Sequence, residues 1–253
     1  EMSNRMLGVK TPRFPFDAGP REYQDKAYYS WIENGRTGIF NMATGTGKTI
    51  TALNCALKEY VNEETYKIII VVPGRYLVGQ WLEEVKKFRF LESAIRFDSE
   101  NPKRKQELNN LSTRIEYCRE NEILNFVIVT TYKSLGTLLE SFGSFPEETL
   151  LIADEAHSLG TEDRARDIRR TNIKKRIGLS ATPERTFDID GTETIHDIFQ
   201  DSPPYTFSYE LQAAILEGML SQYEYIPKVV FLSDEERLEY NELSEQIRAI
   251  PQI

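Results

Sequence analysis

The sequence predicts an α/β protein built on a doubly wound, mostly parallel sheet, and three observations lead there. Five apolar, β-branched segments recur along the chain: GIFNMA (38–43), KIIIVVP (67–73), FVIVTTY (126–132), LLIADE (150–155) and RIGLSAT (176–182). They run near-continuously apolar instead of alternating in and out, the pattern of strands covered on both faces. Stretches with helical periodicity lie between them, and strands alternating with helices make βαβ units. Finally, a glycine-rich turn directly follows the first segment and opens the first of these helices, as a phosphate-binding loop does.

Taken in order, the first predicted strand runs into ATGTGKT, after which Ile50, Leu53, Leu57 and Val61 form one apolar helical stripe. The second strand leads to GRYLVGQWLEEVKKF, where Leu77, Trp81, Leu82 and Val85 repeat that stripe. Residues 98–122 are polar and predict a loop with a surface helix. FVIVTTY and LLIADE are the third and fourth strands. RARDIRRTNIKKR (164–176) holds seven basic residues and one acid. It has the composition of a nucleic-acid patch, but its place between two strands favours a solvent-facing helix. After the fifth strand, residues 184–206 mix turn formers with a short apolar patch and predict irregular structure. His196, in that stretch, has no partner spacing and receives no role. The segment FSYELQAAILEGMLSQYEYIPKVVFL predicts a helix followed by extended chain, and Ser233 is the expected N-cap of a last, acidic-fronted helix. The expected division is a domain over 1–232 and, over 233–253, a linker and the start of a truncated second one.

Bulk properties narrow the function classes. The 253 residues can bury a sizeable core. No apolar run approaches the ~20 residues of a membrane span, so no membrane partner is expected. The N-terminus lacks the apolar stretch of a signal peptide. Cys55 and Cys118 show no metal-ligand spacing and read as reduced thiols of a cytoplasmic protein. The net charge of −9 means that any nucleic-acid contact must come from local donors set in an acidic body.

Two motifs carry chemistry. In ATGTGKT, Gly45 and Gly47 allow the tight turn that aims backbone N–H groups at phosphate, and the helix N-terminus adds partial positive charge. Thr44, Gly45, Thr46, Gly47, Lys48 and Thr49 are therefore the candidate nucleotide cradle. Lys48 reaches the β- and γ-phosphates, and the Thr49 hydroxyl is placed on Mg²⁺. LLIADEAH ends a buried strand in Asp154 and Glu155, carboxylates at the sheet edge where open α/β folds bind ligands. Asp154 is the candidate Mg²⁺ holder, through water, and Glu155 the group that orients the attacking water. Lys48, Asp154 and Glu155 form the catalytic set, with ATP and Mg²⁺ as cofactors.

ATGTGKT, DEAH and GLSATP, in that order, resemble motifs I, II and III of superfamily 2 helicases and translocases, whose motor domains are RecA-like P-loop NTPases. PREYQ (20–24) resembles the Arg-x-x-Gln motif, which implies that Gln24 reads the adenine edge and Arg21 supports it. VVPGRYLVGQW (71–81) and VTTYKSL (129–135) are similar to the strand-contacting motifs. The Gln-Trp pair and GLSATPER look closest to the branch of the XPB and RadD helicases and the type I and III restriction motors. The resemblance implies that His157, Ser180 and Thr182 couple the nucleotide site to strand movement. It also implies that Arg75, Thr131, Tyr132 and Lys133 meet phosphates, through side chains or adjacent backbone N–H groups. The expected function is the ATP-binding motor of an ATP-dependent DNA helicase or duplex DNA translocase, of repair or restriction type. Its partners would be DNA and a second RecA-like domain carrying arginine fingers, without which hydrolysis is weak. RNA is the rival substrate, since DEAH also occurs in RNA helicases, and a nucleotide-gated binding module is the rival outside the motor class.

Overall fold

Strands β1 (Thr37–Met42), β2 (Lys67–Val72), β3 (Ala94–Phe97), β4 (Phe126–Thr131), β5 (Leu150–Asp154), β6 (Lys175–Ser180) and β7 (Phe207–Tyr209) form one sheet in the order β3-β4-β2-β5-β6-β1-β7. Every neighbouring pair is parallel. The structure, a computed structural model, describes residues 11–90, 94–117, 124–224 and 226–249; Cys118 lies outside them.

The continuous apolar runs have a direct cause in the layering. On β2, Ile68, Ile70 and Val72 enter one core, whereas Ile69 and Val71 enter the other. Successive strand side chains point to opposite faces, so a sheet covered twice has no solvent face to encode. Helices α1 (Glu22–Glu33), α2 (Lys48–Glu63) and α3 (Arg75–Lys87) cover the first face. Helices α4 (Arg104–Glu116), α5 (Tyr132–Phe142), α6 (Glu162–Arg170) and α7 (Ile189–Phe199) cover the second.

All five predicted strands form, and the polar stretch after residue 98 carries α4. Two strands escaped the reading. β3 is a four-residue edge strand with an exposed first residue, and β7 has only three residues. Both are too short for a periodic signal and are held by their neighbours β4 and β1. The stretch expected to be irregular contains α7. Asp188 caps it by accepting from the Gly191 N–H at 2.9 Å, while Ile195, Ile198 and Phe199 are buried. A glycine in the first turn masks the propensity, and tertiary burial overrides it.

The helix predicted after residue 207 is short, α8 (Leu211–Leu216), and residues 226–232 form no strand. Helix α9 (Asp234–Ala249) begins as expected: Ser233 Oγ accepts from the Glu236 N–H, and the Glu236 carboxylate accepts from the Ser233 N–H, a capping box. The chain divides into two compact units between Leu220 and Ser221, ahead of the 232/233 boundary expected.

At the amino edge of the sheet, Glu59 of α2 is buried and accepts from Tyr28 Oη at 2.9 Å, Arg36 Nε at 3.0 Å and Lys175 Nζ at 3.0 Å. Burial alone would raise its pKa, but these three donors outweigh it and hold the carboxyl below its ordinary value of 4.5. A depressed native pKa contributes stability that is full above the unfolded value and is lost as pH falls through the native one. Glu59→Gln is expected to cost about 3 kcal/mol near neutrality, the low end for breaking a buried pair because Arg36 is 40% exposed. Melting curves should show the gap between variant and parent closing below about pH 4.5; a gap that stays constant through acid would assign the loss to packing.

Candidate nucleotide site and strand groove

The cradle sits where β1 ends and α2 begins. Gly45 and Gly47 adopt φ of +86° and +84°, a left-handed backbone that side chains rarely take. The α2 N-terminus, capped by Gly47, receives no side-chain cap, so the N–H groups of its first turn are unclaimed by a side chain, the donor set of an anion nest. Lys48 Nζ rests on the Met42 carbonyl at 3.4 Å, a long, weak contact that a phosphate oxygen would replace. Thr46 is buried and shapes the turn, its hydroxyl donating to the Ala43 carbonyl at 2.6 Å. Thr44 is exposed and Thr49 half-buried at the loop's rim. Residues present thus fit a magnesium-bound triphosphate: backbone donors, one ammonium, one hydroxyl and nearby carboxylates.

Beside the cradle, Gln24 is 4% exposed and caps α1, its Oε1 accepting from the Arg21 N–H at 3.0 Å. Phe14, Phe16, Arg21, Tyr23 and Gln24 join Gly45–Gly47 in lining a 560 Å³ pocket, of a size and polarity suited to a base and sugar. Tyr23 fastens the pocket to the loop by donating to the Thr46 carbonyl at 2.6 Å. The Arg21 guanidinium lies against the Met219 sulfur.

The acidic strand end lies on the same sheet edge. Asp154 is level with Leu179 of β6, and Leu179 with Phe40 of β1. The carboxylate strand and the cradle strand are therefore two strand spacings apart, on the order of 10 Å. Asp154 is 8% exposed. Its Oδ2 accepts from Trp81 Nε1 at 2.8 Å and its Oδ1 from the Glu155 N–H at 3.0 Å. Glu155 turns through φ +49°, and its carboxylate lies 3.4 Å from His157 Nδ1. That nitrogen is 3.1 Å from Ser180 Oγ, which accepts from the Thr182 N–H at 3.1 Å. The three residues expected to couple the sites thus form an unbroken polar chain starting at Glu155.

A second depression, of 630 Å³, opens at the carboxyl ends of β2, β3 and β4, between Arg75, Ser99, Arg104, Thr131, Lys133 and Ser134. The N-termini of α3 and α5 both begin there, with Arg75 and Tyr132 as their first residues. Thr131 caps α5 by accepting from the Ser134 N–H at 3.2 Å. Arg75, Thr131 and Lys133 are therefore brought together. Tyr132 can offer only its backbone N–H, at the α5 N-terminus: its side chain is 3% exposed and turned away, the hydroxyl donating to the Asp154 carbonyl at 2.8 Å. Burial first, then the Asp154 charge, holds this phenol well above its ordinary pKa, so it remains a donor. No helix among the described residues is long and apolar enough to cross a membrane.

The sequence reading also missed roles for Arg104, Arg185 and Trp81. Arg185 donates to the His157 carbonyl at 2.8 Å and to Asp188 at 2.6 Å, tying the relay to α7. It passes so close to Gly160 that a Cβ there would lie 2.3 Å from its Cδ. The only available hint was its place in GLSATPER. The basic cluster is spent internally: Arg166 and Arg170 pair with Asp167, Arg169 with Asp197, Lys174 with Glu147, and Lys175 with Glu59 and Glu63. The helix reading of 164–176 holds for Glu162–Arg170, and the remainder enters β6. His196 meets Tyr205 Oη at 3.2 Å.

Residues 17–185 match the family described as type III restriction enzyme, res subunit. The DNA 3′-5′ translocase XPB2 of Sulfurisphaera tokodaii is 29% identical over 229 residues, covering 90% of this chain and 44% of that protein. Among solved structures, the type ISP restriction-modification enzyme LlaBIII bound to DNA superposes with a TM-score of 0.63 at 20% identity, over 85% of this chain and 16% of that one. The SWI2/SNF2 ATPase core of Sulfolobus solfataricus in complex with duplex DNA gives 0.53 at 19% identity, over 75% and 37%. The chain spans less than half the length of each of these proteins.

Proposed function

This chain belongs to the family of the type III restriction enzyme res subunit, a superfamily 2 RecA-like motor domain of the restriction and XPB branch, and from that premise we propose that it binds ATP·Mg²⁺ and drives a protein along DNA. One observation carries the reading: a single sheet edge holds the Gly45–Lys48 cradle, the Asp154–Glu155 acid pair and the His157–Ser180 link. A domain that only held nucleotide would have little use for Glu155 placed beyond the metal-binding acid and wired to a second motif.

In this reading the α2 N-terminus and Lys48 bind the phosphates, and Thr49 with Asp154 would hold the metal ion. Bound Mg²⁺ supplies charge neutralisation at the phosphate oxygens. Glu155 orients water and takes its proton. His157 passes the state of Glu155 to Ser180 and so to the Thr182 backbone. Arg75, Lys133 and the N-termini of α3 and α5 grip strand phosphates, contacts that position without reading sequence. A second RecA-like domain would supply the arginine fingers, worth ~10³–10⁵ in rate in related nucleotidases.

DNA is favoured over RNA by the DNA 3′-5′ translocase XPB2, 29% identical over 90% of this chain, against viral relatives named as putative ATP-dependent RNA helicases at 24% identity. The test is ATPase of the chain titrated with single-stranded DNA, duplex DNA and RNA. At least tenfold stimulation by DNA is expected. Stimulation by RNA alone would replace the DNA reading with an RNA one, and no stimulation by any of them would leave no motor.

A further inference from the structure

Asp154 is held from two directions, and both holders lead to the groove. Trp81 lies on α3, six residues along from Arg75, and its indole N–H donates to Asp154 Oδ2 at 2.8 Å. Tyr132 opens α5, between Thr131 and Lys133, and its hydroxyl donates to the Asp154 carbonyl at 2.8 Å. Both rings are almost wholly buried, at 2% and 3% exposure. Buried rings in a close-packed core have no free rotamer to absorb a shift of their helix. A displacement of α3 or α5 therefore reaches Asp154 through a rigid indole or phenol. Arg164 stacks 5.6 Å from the Tyr132 ring centroid and closes it from the side.

We propose that Trp81 and Tyr132 are positioning residues that transmit strand occupancy of the Arg75–Lys133 groove to the metal-holding Asp154, by a route separate from the His157–Ser180 link. The inference rests on the reading of the groove and cradle given above. The two routes meet different atoms of the acidic motif: the groove helices hold the Asp154 carboxylate and carbonyl, whereas His157 meets Glu155 and Ser180. Strand binding that shifts α3 or α5 would change the aim of one carboxylate oxygen, and with it the affinity for metal-bound nucleotide. By linkage, nucleotide would change strand affinity by the same factor.

That reciprocity supplies the experiment. Affinity of the chain for a non-hydrolysable ATP analogue with Mg²⁺ is measured by calorimetry, with and without a saturating 20-base-pair DNA duplex, giving a coupling factor. Anisotropy of the labelled duplex gives the same factor from the other side. Coupling of about fivefold or more is expected in the parent chain, within the ordinary range for linked sites. Trp81→Phe with Tyr132→Phe removes both donors while keeping rings. It should lower the factor at least twofold, the remainder being carried by the His157–Ser180 link, with duplex affinity in the absence of nucleotide unchanged. Lys174→Ala, which removes an exposed pair with Glu147 outside both sites, serves as the contrasting variant and should leave the factor intact.

A double variant that keeps the parent's coupling overturns the proposal, as does a parent chain that binds both ligands without coupling. Should the parent bind no DNA at all, the functional reading falls with it, and that failure shows in the parent arm alone. If the double variant folds poorly, 5-fluorotryptophan labelling of the otherwise unaltered chain replaces it. Of the two tryptophan resonances, the one missing in Trp81→Phe should shift both on adding duplex and on adding Mg²⁺ with the analogue. A resonance indifferent to the duplex would overturn the route.

Discussion

Replacing Lys48 by alanine is expected to weaken binding of Mg²⁺·ATP by roughly a hundredfold, about 3 kcal/mol, with the fold intact. The magnitude follows from the strength of a hydrogen bond to a charged group, about 1.5–3 kcal/mol, in a cradle where Lys48 is the only ammonium on the loop. The structure explains why folding should tolerate the loss. Lys48 Nζ contributes only a 3.4 Å contact to the Met42 carbonyl, and the turn itself is shaped by Thr46, Tyr23 and the two left-handed glycines. Calorimetry on the variant measures the effect directly. Affinity within a few-fold of the parent's would mean that backbone donors alone hold the phosphates, and the lysine's role would have to be given up.

Glu155→Gln should do the opposite: leave nucleotide affinity roughly unchanged and lower turnover by about 10²–10⁴-fold, the usual contribution of a positioned general base. The amide keeps the shape of the carboxylate but cannot take a proton from water. Asp154 and the cradle are left as they were, because Asp154 is anchored by Trp81 and by the Glu155 backbone N–H, not by the Glu155 side chain. Single-turnover hydrolysis, with the chain in excess over ATP, separates the chemical step from release. A variant that hydrolyses at the parent's rate would transfer the water-activating role to another group, with His157 at 3.4 Å the nearest alternative.

Both predictions concern residues that local sequence made visible. ATGTGKT and DEAH are contiguous, and each needs only a strand before it to be interpretable. The coupling chain was visible by resemblance alone, and the structure adds the distances: Ser180 lies 23 residues beyond His157 yet 3.1 Å from its ring. The groove was half legible. Arg75 and Lys133 could be named, but Tyr132, flanked by Thr131 and Lys133, looked equally suited to phosphate until burial removed its side chain. Arg185 had only its place in GLSATPER to mark it, and Arg104 carried no signal that set it apart from other surface cations.

What the sequence determined by itself is the layered class of the fold, the strands covered on both faces, the phosphate loop and the acidic strand end. These are local properties: a period, a turn and a motif are complete within some ten residues. What only the tertiary structure decided is which distant groups touch them. Trp81 reads in sequence as part of an apolar helical stripe and of the Gln-Trp pair, and only the pairing of β2 with β5 brings α3 beside Asp154. The short edge strands β3 and β7 and the glycine-bearing α7 have the same origin. Their local preferences are weak, and the free energy that settles them comes from burial against elements far away along the chain.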